Sequence, residues 1–294
     1  MTTLQARLSS ACRRLVAAGI DAGDAALDTE VMARHALGWD RAYYFARIRD
    51  PLPAAFDERF APLLERRCHR EPVAQIIGSR EFWGLEILVT RDVLIPRPET
   101  ELLIEVALAR LTDHGAPWMI ADVGTGSGCV AVALAREFAC AHLTATDLSA
   151  DALVVARDNA TRHGVADRIS FHLTRFLDAL PARYDLIVSN PPYVPAPEMT
   201  RLAPEVARYE PALALCGGLD GLDPTRELVA SAAARLRPGG WLLMELGAGQ
   251  ADALTDLVAR HAGLSLIDIR PDLQGIPRAA VIARVGNTGG VTDR

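Results

Sequence analysis

The chain contains no lysine: all 31 of its basic residues are arginine, set against 37 acidic residues in a length of 294. That absence excludes a Walker-A phosphate clamp, a Schiff-base amine and the nucleotide-anchoring lysine of a kinase. Cysteine is scarce and follows no metal pattern. Cys12, Cys68, Cys129, Cys140 and Cys216 are odd in number and scattered, with no C-x-x-C pair and no histidine at ligand spacing, so they read as reduced thiols and no metal site is expected. No run approaches the roughly 18 consecutive apolar residues of a membrane span. Residues Met1 to Ile20 carry Arg7, Arg13 and Arg14 without an apolar h-region, and the expectation is a cytoplasmic chain with no membrane partner. The net charge of −6 lacks the basic footprint of a nucleic-acid binder, so no direct nucleic-acid partner is expected, and a monomer is favoured.

What is present falls into three regions. Half of the residues are apolar, enough to bury a core for one large domain and a small one. Residues 1–73 read as a helical domain: Leu4, Leu8, Cys12 and Leu15 keep a helical step, as do Val31, Met32, His35 and Ala36, then Phe60, Leu63 and Leu64. Pro51 and Pro53 interrupt it. Residues 74–98 read as a β-hairpin linker, with strands at Ala74 to Gly78 and Phe82 to Val89 and Gly84 as a turn or bulge. From 99 to 286 helices and strands alternate, which predicts an α/β fold with a doubly wound sheet, and the closing strand-helix-strand-strand order allows an antiparallel hairpin at one edge. Residues 287–294 read as a flexible tail.

The run Asn190-Pro191-Pro192-Tyr193 follows the apolar strand Tyr184 to Ser189. Proline has no N–H, so this strand end offers acceptors and almost no donors. It suits a planar NH2 group, whose two N–H bonds the Asn190 side-chain oxygen and the Pro191 carbonyl would accept. The partner is read from Gly124-Thr125-Gly126-Ser127-Gly128, which lies between a strand and a helix. Its N–H groups and the helix dipole would favour an anionic or polar ligand group. The spacing is G-x-G-x-G; a dinucleotide fingerprint would need glycine where Cys129 stands. Asp147 ends the next strand, 19 residues after Gly128, where such folds hold ribose hydroxyls; capping of the helix that starts near Ser149 is the alternative. Loop and carboxylate together point to S-adenosyl-L-methionine as cofactor rather than NAD.

These features together resemble the class I S-adenosylmethionine methyltransferases that act on planar nitrogen, whether adenine N6 or glutamine N5. Three further segments, Glu81-Phe82-Trp83-Gly84, Leu94 to Glu101, and Tyr209-Glu210-Pro211 with Ala212 to Leu215, make the chain similar to the bacterial release factor glutamine methyltransferases over almost its whole length. The resemblance implies a seven-stranded methyltransferase domain behind a helical domain that recognises the substrate. It implies methylation of the glutamine amide in the Gly-Gly-Gln loop of peptide chain release factors, which modulates translation termination. Gly124 to Gly128 and Asp147 would bind the cofactor, with Asn190 beside it, and Asn190, Pro191, Pro192 and Tyr193 the glutamine; Asn190, Pro191 and Tyr193 would carry the catalytic work, Tyr193 as a wall on the amide. Where the family has an acidic segment, this chain reads Leu173-Thr174-Arg175-Phe176. A backbone N–H at Arg175 would then serve the adenine ring, and Phe176 either stacks on adenine or packs in the core. The run Gly247-Ala248-Gly249-Gln250 reads as a turn into a helix. Methylation of a ribosomal-protein glutamine, or of adenine N6 in DNA or RNA, stays open beside the release factor.

Overall fold

The computed structural model describes residues 3–177 and 180–285; the tail read at 287–294 lies outside them. The chain divides into a helical unit that runs to Ser79 and takes in Ala203–Tyr209, and a second unit formed by Arg80–Leu202 and Glu210–Arg294. The helical unit contains α1 (Leu4–Ala17), α2 (Ala22–Leu37), α3 (Arg41–Arg47), α4 (Phe56–Cys68) and α5 (Val73–Ile77). Polar caps start the first three: Thr3 accepts from the Ala6 N–H, Asp21 from Gly23 and Asp40 from Tyr43, each satisfying one otherwise orphaned donor. Leu4, Leu8, Leu15, Met32, Phe60 and Leu64 are buried together, at roughly 1.5–3 kcal/mol of apolar transfer for each large side chain.

The segment expected as the first strand of the linker is instead helix α5. Pro72 stands at its N-cap and Gly78, at φ +80°, closes it; both are helix punctuation, whereas five apolar-rich residues carry no decisive period of their own. The hairpin is shorter, β1 (Ser79–Phe82) and β2 (Leu85–Leu88). Trp83 and Gly84 join them at φ +53° and +68°, the two positive values that a two-residue type I′ turn requires.

The second unit continues with α6 (Glu101–Arg110), β3 (Met119–Val123), α7 (Cys129–Glu137), β4 (His142–Asp147), α8 (Ala150–Arg162), β5 (Ile169–Leu173) and β6 (Tyr184–Ser189). The short helix α9 (Pro204–Tyr209) belongs to the helical unit, after which come α10 (Asp223–Arg235), β7 (Leu236–Glu245), α11 (Ala251–Ala259), β8 (Leu264–Pro271) and β9 (Pro277–Arg284). The seven-stranded sheet has the order β5-β4-β3-β6-β7-β9-β8. Strands β5 to β7 are parallel, and β9 runs antiparallel to both β7 and β8. The doubly wound sheet with an antiparallel edge hairpin is therefore present. Alternation along the strands builds two cores: Ile120, Leu186 and Val188 face one, Ala121 and Ile187 the other, as a sheet covered on both faces demands. Chain order reverses between β3 and β6, and such a switch point leaves a crevice at the carboxyl ends of the strands.

Candidate active site

Three strand ends meet at that crevice. Val123 is in register with Thr146 on one side and Ser189 on the other, and the Ser189 hydroxyl donates to the Val123 carbonyl at 2.7 Å. The glycine loop after β3, Asp147 at the end of β4 and Asn190 after β6 are thereby held level. They line one cleft of about 340 Å³, shared with Arg97, Thr100, Thr174, Arg175 and Phe176.

The glycine loop lines the cleft and is fastened to β4. Gly124 and Thr125 both donate to the Thr146 carbonyl at 2.9 Å, and Gly128 donates to the Thr125 carbonyl at 2.8 Å. Gly126 donates to Asp147 Oδ2 at 2.9 Å. Three of these N–H groups go to β4 and the fourth stays within the loop, so the loop is tied to its β4 neighbour through its own donors. Glycine is needed at 128 for a second reason. Its φ is +79°, and a Cβ there would stand 3.0 Å from that of Ala156 on α8. Asn159 on α8 fastens the loop further, donating to the carbonyls of Ser127 and Leu88 at 2.8 and 3.0 Å.

Asp147 accepts from Gly126 and, through Oδ1, from the Ser149 N–H at 2.9 Å. The cap of α8 is Ser149, whose hydroxyl accepts from Ala152. A carboxylate has about four acceptor positions, so Asp147 keeps capacity on the cleft side.

Asp122 is 1% exposed below the loop and accepts from Thr125 Oγ1 at 2.7 Å and the Ala131 N–H at 3.1 Å. Burial pushes its carboxyl up from 3.8 to about 6, against those two hydrogen bonds. Because the folded value is the higher one, the folded state holds a proton that the unfolded chain has lost; stability falls as pH rises from about 4 to about 6, by on the order of 3 kcal/mol, and is flat above. Asp122→Asn keeps an acceptor for both donors and removes the buried charge. Its unfolding free energy in urea, compared with wild type at pH 4 and pH 7, should therefore gain by that order across the interval. Parallel pH curves for the two proteins would return Asp122 to an ordinary carboxylate.

Asn190 donates through Nδ2 to Thr100 Oγ1 at 3.1 Å, and its oxygen takes no hydrogen bond from any described residue. Thr100 in turn donates to Glu245 Oε2 at 2.6 Å, and the Tyr193 hydroxyl donates to Glu245 Oε1 at 3.3 Å. Burial, then the Glu245 charge, pushes the Tyr193 phenol up from 10 to about 12, so it stays protonated. Glu245 is 2% exposed, and burial raises its carboxyl against the hydrogen bond from Thr100 and the field of Arg278.

The loop Gly247 to Gln250, read as a turn, does more than turn. Gln250 Oε1 accepts from the Gly247 N–H at 2.9 Å, while Nε2 donates to the carbonyls of Tyr193 and Gly221 at 3.1 Å each. Beyond Tyr193 the chain is pinned again, Val194 donating to Leu215 at 2.9 Å and Gly217 to Val194 at 2.8 Å. Glu210, with its side chain 1% exposed, accepts from the Ile95 N–H at 3.1 Å and from Arg97 at 2.6 Å. Two segments more than a hundred residues apart are joined by that carboxylate, and Arg97 has its partner. Arg175 pairs with Glu227 and lies 5.6 Å from the Phe176 ring centroid. Phe176 lines the cleft and also packs on the core around Leu177.

Thr100, Glu210 and Gln250 stand in segments named from the sequence but with no role assigned to them, and Glu245 was not named. Glu245 carried a usable signal, since an acid within Leu242 to Leu246 must be buried with partners. Among the described residues no group of three or more His, Cys, Asp or Glu could hold a metal, and no helix is long and apolar enough to cross a membrane.

Comparison with known proteins agrees with this architecture. Residues 7–78 match the PrmC N-terminal domain family and residues 99–206 the methyltransferase small domain family. The release factor glutamine methyltransferase of Cereibacter sphaeroides is 49% identical over 272 residues, 92% of this chain and 95% of that one. That of Bradyrhizobium diazoefficiens is 43% identical over 281 residues, 94% of this chain and 91% of the other. A methyltransferase structure from Pyrococcus furiosus superposes with a TM-score of 0.51 at 18% identity, covering 78% of this chain and 100% of its own, and shares the fold. The chain is a methyltransferase and belongs to the release factor glutamine methyltransferase family.

Proposed function

We propose that the protein transfers a methyl group from S-adenosyl-L-methionine to the side-chain amide nitrogen of the glutamine in the Gly-Gly-Gln loop of peptide chain release factors. The observation that carries the reading is the orientation of Asn190: its NH2 is engaged by Thr100, its oxygen has no donor among the described residues, and two prolines follow. The Asn190 oxygen and the Pro191 carbonyl accept the two N–H bonds of the substrate amide. An amide nitrogen is a poor nucleophile because its lone pair is delocalised into the carbonyl. Holding both N–H bonds out of that plane favours pyramidalisation and aims the lone pair, and orientation of this kind is worth up to about 7–11 kcal/mol of barrier. Pro191 keeps Asn190 extended and the loop stiff. Tyr193 walls the amide.

The cleft suits the cofactor. Asp147 has acceptor capacity for ribose hydroxyls, Gly124 to Gly128 form a close-approach wall, and the Phe176 ring with the Arg175 backbone, which line the same cleft, would flank the adenine. When bound, the cofactor supplies an electrophilic methyl group on a sulfonium. The helical unit, which runs to Ser79 and takes in Ala203–Tyr209, serves release factor recognition, and the protein acts in the cytoplasm.

The test offers the protein labelled S-adenosylmethionine with a release factor, the same factor with its Gly-Gly-Gln glutamine replaced, a ribosomal protein, and DNA. Label on the unaltered release factor alone is the expected result. Label on DNA alone, or equal label on the glutamine-replaced factor, overturns the reading.

A further inference from the structure

An asparagine side chain has two nearly isosteric ends, one a double donor and one an acceptor. Rotation of Asn190 by half a turn about its last bond would present NH2 to the cleft where the oxygen now stands, with almost no change of shape. A site that grips an NH2 group works in only one of these settings. Something must hold the amide in it, and neither Pro191 nor Pro192 has a donor to do so.

The groups behind Asn190 form a chain with a direction. Glu245 is buried, and both its carboxylate oxygens accept, one from Tyr193 and one from Thr100. Glu245 Oε2 accepts from the Thr100 hydroxyl at 2.6 Å, so the single hydroxyl proton of Thr100 is committed to Glu245. Thr100 Oγ1 is left with lone pairs alone toward Asn190, and the Asn190 NH2 turns to it at 3.1 Å. We propose that Glu245 and Thr100 are positioning residues that fix the amide of Asn190 with its oxygen toward the cleft, and so make the site select an NH2 group over a carboxylate of the same shape. The inference rests on the glutamine reading given above and deepens it: a glutamate in place of the target glutamine presents only acceptors to the Asn190 oxygen and the Pro191 carbonyl, and is repelled. The charged groups that act on Glu245 are Arg278, which favours its ionised form, and Glu99, which opposes it, beside the hydrogen bonds from Thr100 and Tyr193. Oppositely, a neutral amide at position 245 can donate to Thr100 Oγ1, which frees the Thr100 hydroxyl proton to seek the Asn190 oxygen and turn the amide round.

Full-length protein carrying Thr100→Val, Thr100→Ser or Glu245→Gln is compared with wild type in two measurements. One is turnover with a Gly-Gly-Gln release factor at saturating cofactor. The other is competition by the same release factor with glutamate in that position, read as the ratio of its inhibition constant to the KM of the glutamine form. Thr100→Val and Glu245→Gln should each lower kcat at least tenfold and lower that ratio by about tenfold, while Thr100→Ser restores both. A ratio unchanged in the Val and Gln variants, or a Ser variant that behaves like Val, overturns the relay; if Val fails to fold, the Ser and Gln variants decide by the same ratio. Wild type that leaves the Gly-Gly-Gln factor unmethylated sinks the functional reading itself, and wild type that methylates it with an unaltered ratio in the variants sinks the relay alone.

Discussion

Asn190→Ala is expected to lower turnover by roughly 10²–10³-fold, about 2.7–4 kcal/mol, the scale seen when one preorganised polar contact to a reacting group is removed. The reasoning is that the lost oxygen accepts an N–H bond whose geometry matters most when nitrogen pyramidalises, so the loss falls on kcat more than on KM. The variant also leaves Thr100 Oγ1 without its donor from Asn190, but the Thr100 hydroxyl keeps its bond to Glu245. Cofactor affinity, read by calorimetry, should stay within a few fold, since the glycine loop is held by Thr146, Asp147 and Asn159 and not by Asn190. Asp147→Ala should divide the other way. It removes the acceptor for both Gly126 and Ser149, loosening the loop where the ribose is proposed to sit, so cofactor affinity falls first. Near-normal turnover in the Asn190 variant, or loss of cofactor affinity equal to that of the Asp147 variant, would remove Asn190 from its acceptor role.

The parts of this architecture that were legible in the sequence are those in which local chemistry and tertiary position coincide. Strands β3 and β6 are buried on both faces, so they appear as largely apolar runs bounded by polar or glycine residues. Tyr184–Ser189 stands where its pattern placed it. The glycine loop, Asp147 and Asn190 lie directly after strand ends, and a doubly wound sheet brings such ends to one edge; their meeting in one cleft followed from topology. Helix α5 was misread because Val73–Ile77 is too short for its period to separate helix from strand, and only its flanking Pro72 and Gly78 say helix. The use of the loop N–H groups by Thr146 was out of reach for a different reason. It depends on the Val123 to Thr146 register, which no spacing along the chain expresses. Thr100, Glu210 and Gln250 belong to the same class: each is an unremarkable polar residue in a loop or at a helix start, and each acquires its role from a partner at least 57 residues away. Arg97 shows the converse, a residue that drew notice by its position and turned out to be paired with the buried Glu210.

Gly221→Ala is expected to damage both stability and turnover, although Gly221 belongs to none of the segments that carry the chemistry. Its φ is +79°, and an added Cβ would stand 2.4 Å from the Tyr193 carbonyl oxygen, 2.9 Å from Gln250 Nε2 and 3.2 Å from Pro195 Cδ. Two of those neighbours are the acceptor and the donor of one hydrogen bond, so neither can give way without opening the clamp that Gln250 makes across Tyr193, Gly221 and Gly247. The left-handed backbone costs about 1–2 kcal/mol for a residue with a Cβ, and each buried polar group left without its partner adds roughly 1–3 kcal/mol, for an expected loss of ~2–5 kcal/mol in urea unfolding. Gln250→Ala is the informative companion: it breaks the same bonds without the steric clash. If the clamp fixes the segment from Asn190 to Tyr193, both variants should lower kcat at temperatures where they remain folded, while cofactor affinity is retained, because the clamp touches neither Asp147 nor the glycine loop. Equal losses of turnover and cofactor affinity would mean that the clamp supports the sheet edge in general. Wild-type stability in Gly221→Ala would mean that the chain from Tyr193 to Pro195 yields freely, and a loop that yields freely could not hold Asn190 in one orientation for the reaction proposed.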